Sequence, residues 1–149
     1  MTPHPPLRLV VLMPLRDDWH SAAELIRRLD KAVSSDACTM EIILVDDGSV
    51  QECDRNDFQS GFSAVRAIRT LRLRRNLGHQ RAIAIGLVHV YKTASCDAVL
   101  VMDADGEDTP EGAEMCIRDS LRPWVAPHTE GATTYSTANS ALSGKPGST

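Results

Sequence analysis

The sequence predicts an α/β fold in which a mostly parallel, Rossmann-like sheet carries helices on both faces. Short, uninterrupted apolar runs recur along the chain, as is typical of strands that are buried on both faces. Segments with helical spacing of apolar residues separate these runs. Three of the runs end in polar loops that contain aspartates, and ligands bind at this end of the strands in open parallel sheets.

The first strand is predicted over residues 9–13, which are all apolar, and it ends at Pro14 and a polar turn at residues 16–18. A helix should follow, because Ser21 and Glu24 form a capping-box pattern and apolar residues recur after Ser21 at helical spacing. A helix with one apolar stripe packs that stripe on a sheet.

The second strand is predicted over residues 41–45, and it runs directly into Asp46-Asp47-Gly48-Ser49. Residues 65–73 alternate apolar side chains with arginine, which is typical of a strand at the edge of a sheet or covered on one face. A second helix is predicted after Gly78, and it leads to a fourth strand over residues 98–102. This order of strands and helices predicts right-handed βαβ units.

The fourth strand stops at two carboxylates one residue apart, Asp103 and Asp105. Carboxylates about 4 Å apart repel by roughly 4 kcal/mol at an effective dielectric near 20, and a divalent cation removes that repulsion. The pair therefore suits Mg²⁺ or Mn²⁺, although its spacing alone suits a helix cap or a solvated turn equally well. If the strands are parallel, the three polar loops lie at one edge and converge on one cleft.

The composition narrows the class of protein. The 149 residues are enough for one domain, and the net charge of −4 argues against general nucleic-acid binding. Four cysteines lack the spacing of a metal site or a disulfide framework, which is typical of a reducing compartment and predicts a cytoplasmic protein. No signal peptide and no apolar run of about 20 residues is apparent, so no membrane segment is expected in this chain.

The predicted organisation has three parts. Residues 1–6 form a disordered N-terminus, residues 7–113 form the α/β domain, and residues 114–149 form a tail. From Pro127 onward the tail is rich in Ser, Thr, Gly, Ala and Pro, so we expect it to be poorly ordered. Residues 114–120 resemble the in-frame translation of a sequencing adapter, and the tail is therefore expected to be disordered or non-native.

Three motifs carry a family resemblance. Val45-Asp-Asp-Gly-Ser49, Arg75-Asn-Leu-Gly-His-Gln-Arg81 and Met102-Asp-Ala-Asp-Gly-Glu-Asp-Thr-Pro-Glu111, in this order, resemble glycosyltransferase family 2. The second and third motifs are most similar to the polyprenyl-phosphate sugar synthases of the dolichol-phosphate mannosyltransferase type. The resemblance spans residues 7–113 and implies the nucleotide-binding half of a GT-A fold.

The resemblance implies transfer of a sugar from a UDP- or GDP-linked donor to an acceptor such as a polyprenyl phosphate. It also implies Mg²⁺ or Mn²⁺ held by Asp103 and Asp105, with the cation neutralising charge on the departing nucleoside diphosphate. The donor-binding residues that it implies are Pro14, Asp18, Asp46, Asp47, Ser49, Asn76, Gly78, Arg81, Asp103 and Ala104.

Two departures from the family pattern affect these expectations. Leu15-Arg-Asp-Asp18 stands where the family has an aromatic and an acidic residue, so only Asp17 or Asp18 can supply the acid. After Glu111 the sequence offers no counterpart of the acceptor half or its base, and the catalytic residues are unknown. We expect this polypeptide to bind donor weakly without turnover. The full-length protein is expected at the cytoplasmic membrane face.

Two alternatives remain open at this point. Residues 99–106 also fit a phosphatase of the haloacid-dehalogenase type, with Asp103 as nucleophile and Asp105 as acid. The second alternative is a non-catalytic module that binds a nucleotide or a metal.

Overall fold

Strands and helices alternate along most of the chain in the computed structural model. The structure describes residues 5–59, 61–105, 109, 111–113, 115 and 117, and the backbone of 135–137. A 3₁₀ turn over Arg55–Phe58 precedes the third strand. The strands and helices, in chain order, are β1 (Leu7–Leu15), α1 (Trp19–Ala32), β2 (Cys38–Asp46), β3 (Val65–Arg72), α2 (His79–Thr93), β4 (Ala98–Val101) and β5 (Tyr135–Thr137).

The strands form a single parallel sheet in the order β3-β2-β1-β4-β5. The first strand is central, and the chain adds β2 and β3 on one side of it before it crosses to add β4 on the other. This reversal creates a switch point between β1 and β4, where a crevice opens outside the carboxyl ends of the strands. The predicted parallel α/β fold is confirmed, and β3 lies at the sheet edge as its alternating pattern predicted.

Side chains of the central strands alternate between two cores, because successive residues of a strand point to opposite faces. Odd-numbered residues of β1 pack with the apolar stripe of α1, which includes Leu25, Ile26 and Leu29. Even-numbered residues, including Leu12, pack with α2 through Ala82 and other apolar residues. Helices therefore cover both faces of the sheet, and this explains why β1 is an uninterrupted apolar run.

Gly86 allows α2 to lie close to the sheet. A β-carbon at this position would lie 2.7 Å from a methyl carbon of Leu12 and 2.8 Å from one of Val45. Any larger residue would push the helix away from the strands, and the helix begins directly at the edge where the polar loops meet. The contact at Gly86 therefore helps to fix the height of the first turn of α2.

The start of α1 differs from its prediction. The helix begins at Trp19, with Asp18 at the N-cap and without a side-chain capping hydrogen bond, so the predicted capping box at Ser21 and Glu24 is wrong. The physical reason is a tertiary contact. The buried Trp19 indole packs edge-on against Phe58, with ring centroids 6.5 Å apart, and the N-cap at Asp18 lies nearly one turn before Ser21.

The C-terminal tail contributes more than its composition indicated. Ile117 of the tail, like Ala113 at the end of the predicted domain, is buried in the core on the α1 face, and residues 135–137 pair with β4 in parallel. No sequence pattern predicted this fifth strand. The other residues of the predicted 114–149 tail lie outside the described part apart from Met115, so the domain boundary and the non-native tail stay predictions. None of the described helices has the length and apolar character needed to cross a bilayer.

Candidate functional site

The register of the sheet brings the three polar loops to one edge. Leu15 at the end of β1 aligns with Asp46 at the end of β2, and Asp46 aligns with Arg72 of β3. On the other side of β1, Leu12 aligns with Val101, and Met102 N–H donates to the Leu12 carbonyl at 3.0 Å. The chain after β4 therefore emerges beside the loop after β1, as the predicted convergence requires.

These loops surround a cleft of about 480 Å³ at the switch point of the sheet. The cleft is large enough for part of a ligand of nucleotide size. Eight of the residues that the sequence predicted for the site line it, namely Pro14, Asp18, Asp47, Asn76, Gly78, Asp103, Ala104 and Asp105. Three others, Asp46, Ser49 and Arg81, are not among the lining residues.

Asp47 anchors the loop that precedes α2. Its Oδ1 accepts a hydrogen bond from Leu77 N–H at 2.7 Å, and its Oδ2 accepts one from Gly78 N–H at 2.9 Å. Each carboxylate oxygen has two lone pairs, so both retain acceptor capacity toward the cleft. Asp47 can thus hold this loop and contact a ligand at the same time.

Gly48 brings the same two loops into backbone contact. Its φ is +75°, in the left-handed region, and a β-carbon there would lie 2.7 Å from the amide nitrogen of Asn76. Only glycine permits this approach, because it lacks the β-carbon. Beyond it, the Asn76 side chain accepts from Gly78 N–H at 2.8 Å, which shapes the turn into α2.

Asp46 and Ser49 lie behind the cleft wall. Asp46 is 2% exposed, and its Oδ1 accepts from Ser49 N–H at 2.7 Å while its Oδ2 lies 3.5 Å from Arg72 Nε. These contacts fix the shape of the loop after β2. The family resemblance implied that both residues bind the nucleotide-sugar donor, and the structure places them one layer behind the residues that line the cleft.

Of the two acidic residues in the loop after β1, Asp17 and Asp18, one lines the cleft. Asp18 is a lining residue, whereas the Asp17 carboxylate accepts hydrogen bonds from the backbone N–H groups of Val50 and Gln51, both at 2.8 Å. Asp18 is therefore the acid that this loop offers to a ligand. Asp17 instead joins the loop after β1 to the loop after β2.

The Asp-x-Asp pair follows β4, which lies on the other side of β1 from β2. Asp103 Oδ1 is 3.2 Å from Nε2 of His79, the first residue of α2. Asp103 and Asp105 both line the cleft, where carboxylates from other loops join them. Within the part of the chain that the structure describes, no group of three or more His, Cys, Asp or Glu side chains is arranged to hold a metal ion.

The arginine side chains near the cleft differ in how directly they can reach a ligand bound in it. Arg16 lines the cleft and is exposed. Arg81 is exposed in the first turn of α2, and Arg74 and Arg75 are exposed in the loop before it. Of these arginines, Arg16 has the most direct access to an anionic ligand. Arg81 would have to extend toward the cleft from its rim.

Three lining residues were not predicted from the sequence, namely Leu15, Arg16 and His79. Arg16 could have been found, because it lies in a polar loop directly after a buried strand. His79 carried no signal by itself, since a single histidine after a glycine is equally compatible with a solvated loop. Its position depends on how close α2 lies to the end of β4.

Comparison with known proteins gives two findings. The model of glycosyl transferase family 2 matches residues 10–125. Undecaprenyl-phosphate 4-deoxy-4-formamido-L-arabinose transferases of two Klebsiella pneumoniae strains are each 32% identical to this chain over 112 residues. The match covers 74% of this chain and 33% of each relative, so the chain spans about a third of the length of the curated relatives it matches.

Proposed function

Because this chain belongs to glycosyl transferase family 2, we propose that it forms the donor-binding part of an enzyme that transfers a sugar from a nucleoside diphosphate to a polyprenyl phosphate. The names of the two relatives support the acceptor class, since both act on undecaprenyl phosphate. Family membership also decides against the haloacid-dehalogenase alternative for residues 99–106.

The observation that carries the proposal is the single cleft in which acidic side chains from three separate loops meet. The loop after β1 supplies Asp18, the loop after β2 supplies Asp47, and the chain after β4 supplies Asp103 and Asp105. We assign Asp18, Asp47 and Asn76 to the base and ribose of a UDP- or GDP-linked donor, whose N–H and O–H groups need acceptors. Pro14, Gly78 and Ala104 contribute backbone surface beside the donor.

We assign Asp103 and Asp105 to a divalent cation. Carboxylate oxygens are the ligands that Mg²⁺ and Mn²⁺ prefer, and Mg²⁺ is commonly held by one or two carboxylates together with substrate phosphates. Two aspartates beside a cleft with room for a diphosphate fit this arrangement. When bound, the ion supplies Lewis-acid stabilisation of the departing nucleoside diphosphate.

The cationic residues complete the charge balance. Arg16, which lines the cleft, would pair with diphosphate oxygens, since guanidinium and phosphate match in geometry. Arg81 would add a second positive charge from the rim. We assign Asp46 and Ser49 to holding the loop after β2, on the basis of their hydrogen bond and burial. A phosphate acceptor is already anionic, so it needs little help from a base.

The test is calorimetry of the 149-residue chain with UDP and with GDP, with Mn²⁺ and after its removal by EDTA. We expect binding of one nucleotide to weaken by at least about tenfold in EDTA and in Asp105→Ala, because the cation links the carboxylates to the diphosphate. Asp36→Ala is the matched control, since Asp36 is an exposed aspartate in the connection between α1 and β2 and does not line the cleft.

Three outcomes are informative. Nucleotide affinity that is equal with Mn²⁺ and with EDTA would contradict the metal assignment. A loss of affinity in Asp36→Ala as large as that in Asp105→Ala would contradict the location of the site. Absence of binding to both nucleotides would contradict the proposed donor.

A further inference from the structure

We propose that Asp17 is a positioning residue of the donor cleft, which locks the loop after β1 to the loop after β2 and so presents Arg16 and Asp18 to the donor. The inference rests on the proposed function, because it assigns to Asp17 a role in donor binding. It also goes beyond it, because Asp17 is not among the residues that line the cleft.

The backbone at Asp17 is the first observation. Its φ is +63°, and it is the single residue other than glycine with a positive φ in the described part of the chain. This left-handed conformation is unfavourable for most residues, although aspartate and asparagine adopt it more readily than others. Such a conformation persists where surrounding contacts determine it, and these positions concentrate at ligand sites.

The contacts of Asp17 are the second observation. Its Oδ1 accepts from Val50 N–H and from Gln51 N–H, each at 2.8 Å, and its own N–H donates to Ser49 Oγ at 2.8 Å. One residue thus makes three hydrogen bonds to a loop more than 30 positions away in the sequence. The Trp19 indole N–H adds a fourth link between the same segments, to the Gln51 carbonyl at 3.1 Å.

Ser49 extends this set of hydrogen bonds from Asp17 into the protein interior. The Ser49 N–H donates to the buried carboxylate of Asp46 at 2.7 Å, and Asp46 is the last residue of β2. The loop after β1 is therefore tied through Asp17 and Ser49 to the end of the neighbouring strand. Because Arg16 and Asp18 flank Asp17 and both line the cleft, the position of the Asp17 backbone determines where their side chains begin.

A series of substitutions separates the hydrogen bonds from the backbone conformation. Asp17→Asn keeps an oxygen acceptor and tolerates the left-handed region. Asp17→Gly also permits a positive φ but removes the side-chain acceptor. Asp17→Ala removes both the acceptor and the tolerance of a positive φ. Asp54→Ala is the matched control, since Asp54 also accepts a backbone N–H, from Asn56 at 2.9 Å, and does not line the cleft.

The experiment measures nucleotide affinity in the presence of Mn²⁺, at a temperature where thermal unfolding curves show each variant fully folded. We expect Asp17→Ala and Asp17→Gly to weaken binding by about tenfold, and Asp17→Asn to stay within about threefold of the wild type. Amide hydrogen exchange at Val50 and Gln51 should accelerate in the first two variants and not in the third. Asp54→Ala should bind as the wild type does.

The failure of this inference differs from the failure of the proposed function. If the wild type binds a nucleotide and Asp17→Ala and Asp17→Gly bind it equally well, the positioning role is wrong even if their melting temperatures fall, and the donor assignment stands. If Asp17→Asn loses as much affinity as Asp17→Ala, the negative charge of Asp17 supports binding. The proposal that its hydrogen bonds position the loop after β1 is then wrong. A wild-type chain that binds neither UDP nor GDP overturns both.

Discussion

At the scale of single residues, the adjacent Asp47 and Gly48 in the loop after β2 each fix the loop that precedes α2 in a different way. Asp47 holds the backbone of Leu77 and Gly78 with its carboxylate, and Gly48 lets the backbones of the two loops touch. An aspartate followed by glycine is a common turn signal, so the local pattern alone predicts a turn, and only the family resemblance implies donor binding. The contact partners, about 30 residues away in the sequence, give the pair its role in the wall of the cleft.

Gly48→Ala should destabilise the protein by about 2–4 kcal/mol, because a β-carbon adds a left-handed backbone penalty and a collision with immobile backbone atoms of Arg75 and Asn76. Urea unfolding provides the measurement. Gly61→Ala is the matched control, since its β-carbon would meet no atom within 4 Å and the change should stay within about 0.5 kcal/mol. Equal stability of the two variants would contradict the close approach at Gly48.

At the scale of secondary structure, α2 connects the core to the site. Its inner face packs on β1 and β2, and its first residue, His79, lies 3.2 Å from Asp103. The helix has no acidic residue in its first turn and no side-chain cap, and its N-cap Gly78 has a φ of +92°. The position of this first turn therefore depends on the packing along the helix and on the anchor at Asp47.

Gly86→Val should destabilise the protein by about 1–3 kcal/mol, because the added methyl groups would overlap Leu12 and Val45 in a filled core. The matched control is Ala84→Val, which places the same side chain on the exposed face of α2 and should cost about 0.5 kcal/mol. Chemical denaturation of both variants checks the comparison. A cost at Gly86 no larger than that at Ala84 would show that the helix does not lie this close to the sheet.

At the scale of the whole molecule, the two ends of the sheet differ in what their carboxylates do. At the amino end, Asp97 binds Arg8, and Asp30 accepts from the backbone N–H groups of residues 63–65. These contacts tie strands to their neighbours. At the carboxyl end, Asp18, Asp47, Asp103 and Asp105 line the cleft, while Asp17 and Asp46 hold the loops behind it. The amino-end contacts therefore stabilise the fold, and the carboxyl end holds the acidic residues of the proposed donor site.

The amino-end carboxylates should make stability depend on acid pH. Burial raises the pKa of Asp30, but hydrogen bonds from Ser63, Val65 and Ala64 outweigh it and hold the pKa below its usual value. The hydrogen bond from the Arg8 side chain likewise lowers the pKa of Asp97. A carboxyl whose pKa is lower in the folded state stabilises that state above its unfolded pKa, and this stabilisation is lost as the pH falls through the folded pKa.

We therefore expect the free energy of unfolding to fall below about pH 4, and to fall less steeply in Asp30→Asn. Urea unfolding at a series of pH values measures this slope. Asp36→Asn is the control, because Asp36 is exposed and accepts no long-range hydrogen bond among the described residues. An unchanged slope in Asp30→Asn would contradict the linkage. Nucleotide affinity of Asp30→Asn at neutral pH should equal that of the wild type, since Asp30 lies away from the cleft.

The sequence by itself predicted the layered α/β fold and an edge or half-covered position for β3, and the family resemblance implied eight of the residues that line the cleft. Apolar runs, helical spacing and polar strand ends are local patterns, and parallel strands necessarily bring their carboxyl ends to one edge. The tertiary structure alone decided the start of α1, the pairing of residues 135–137, the contact between His79 and Asp103, and the division of Asp17 and Asp18 between loop locking and the cleft. Each of these depends on contacts between segments distant in the chain, and such contacts leave no periodic signal in the sequence around either partner.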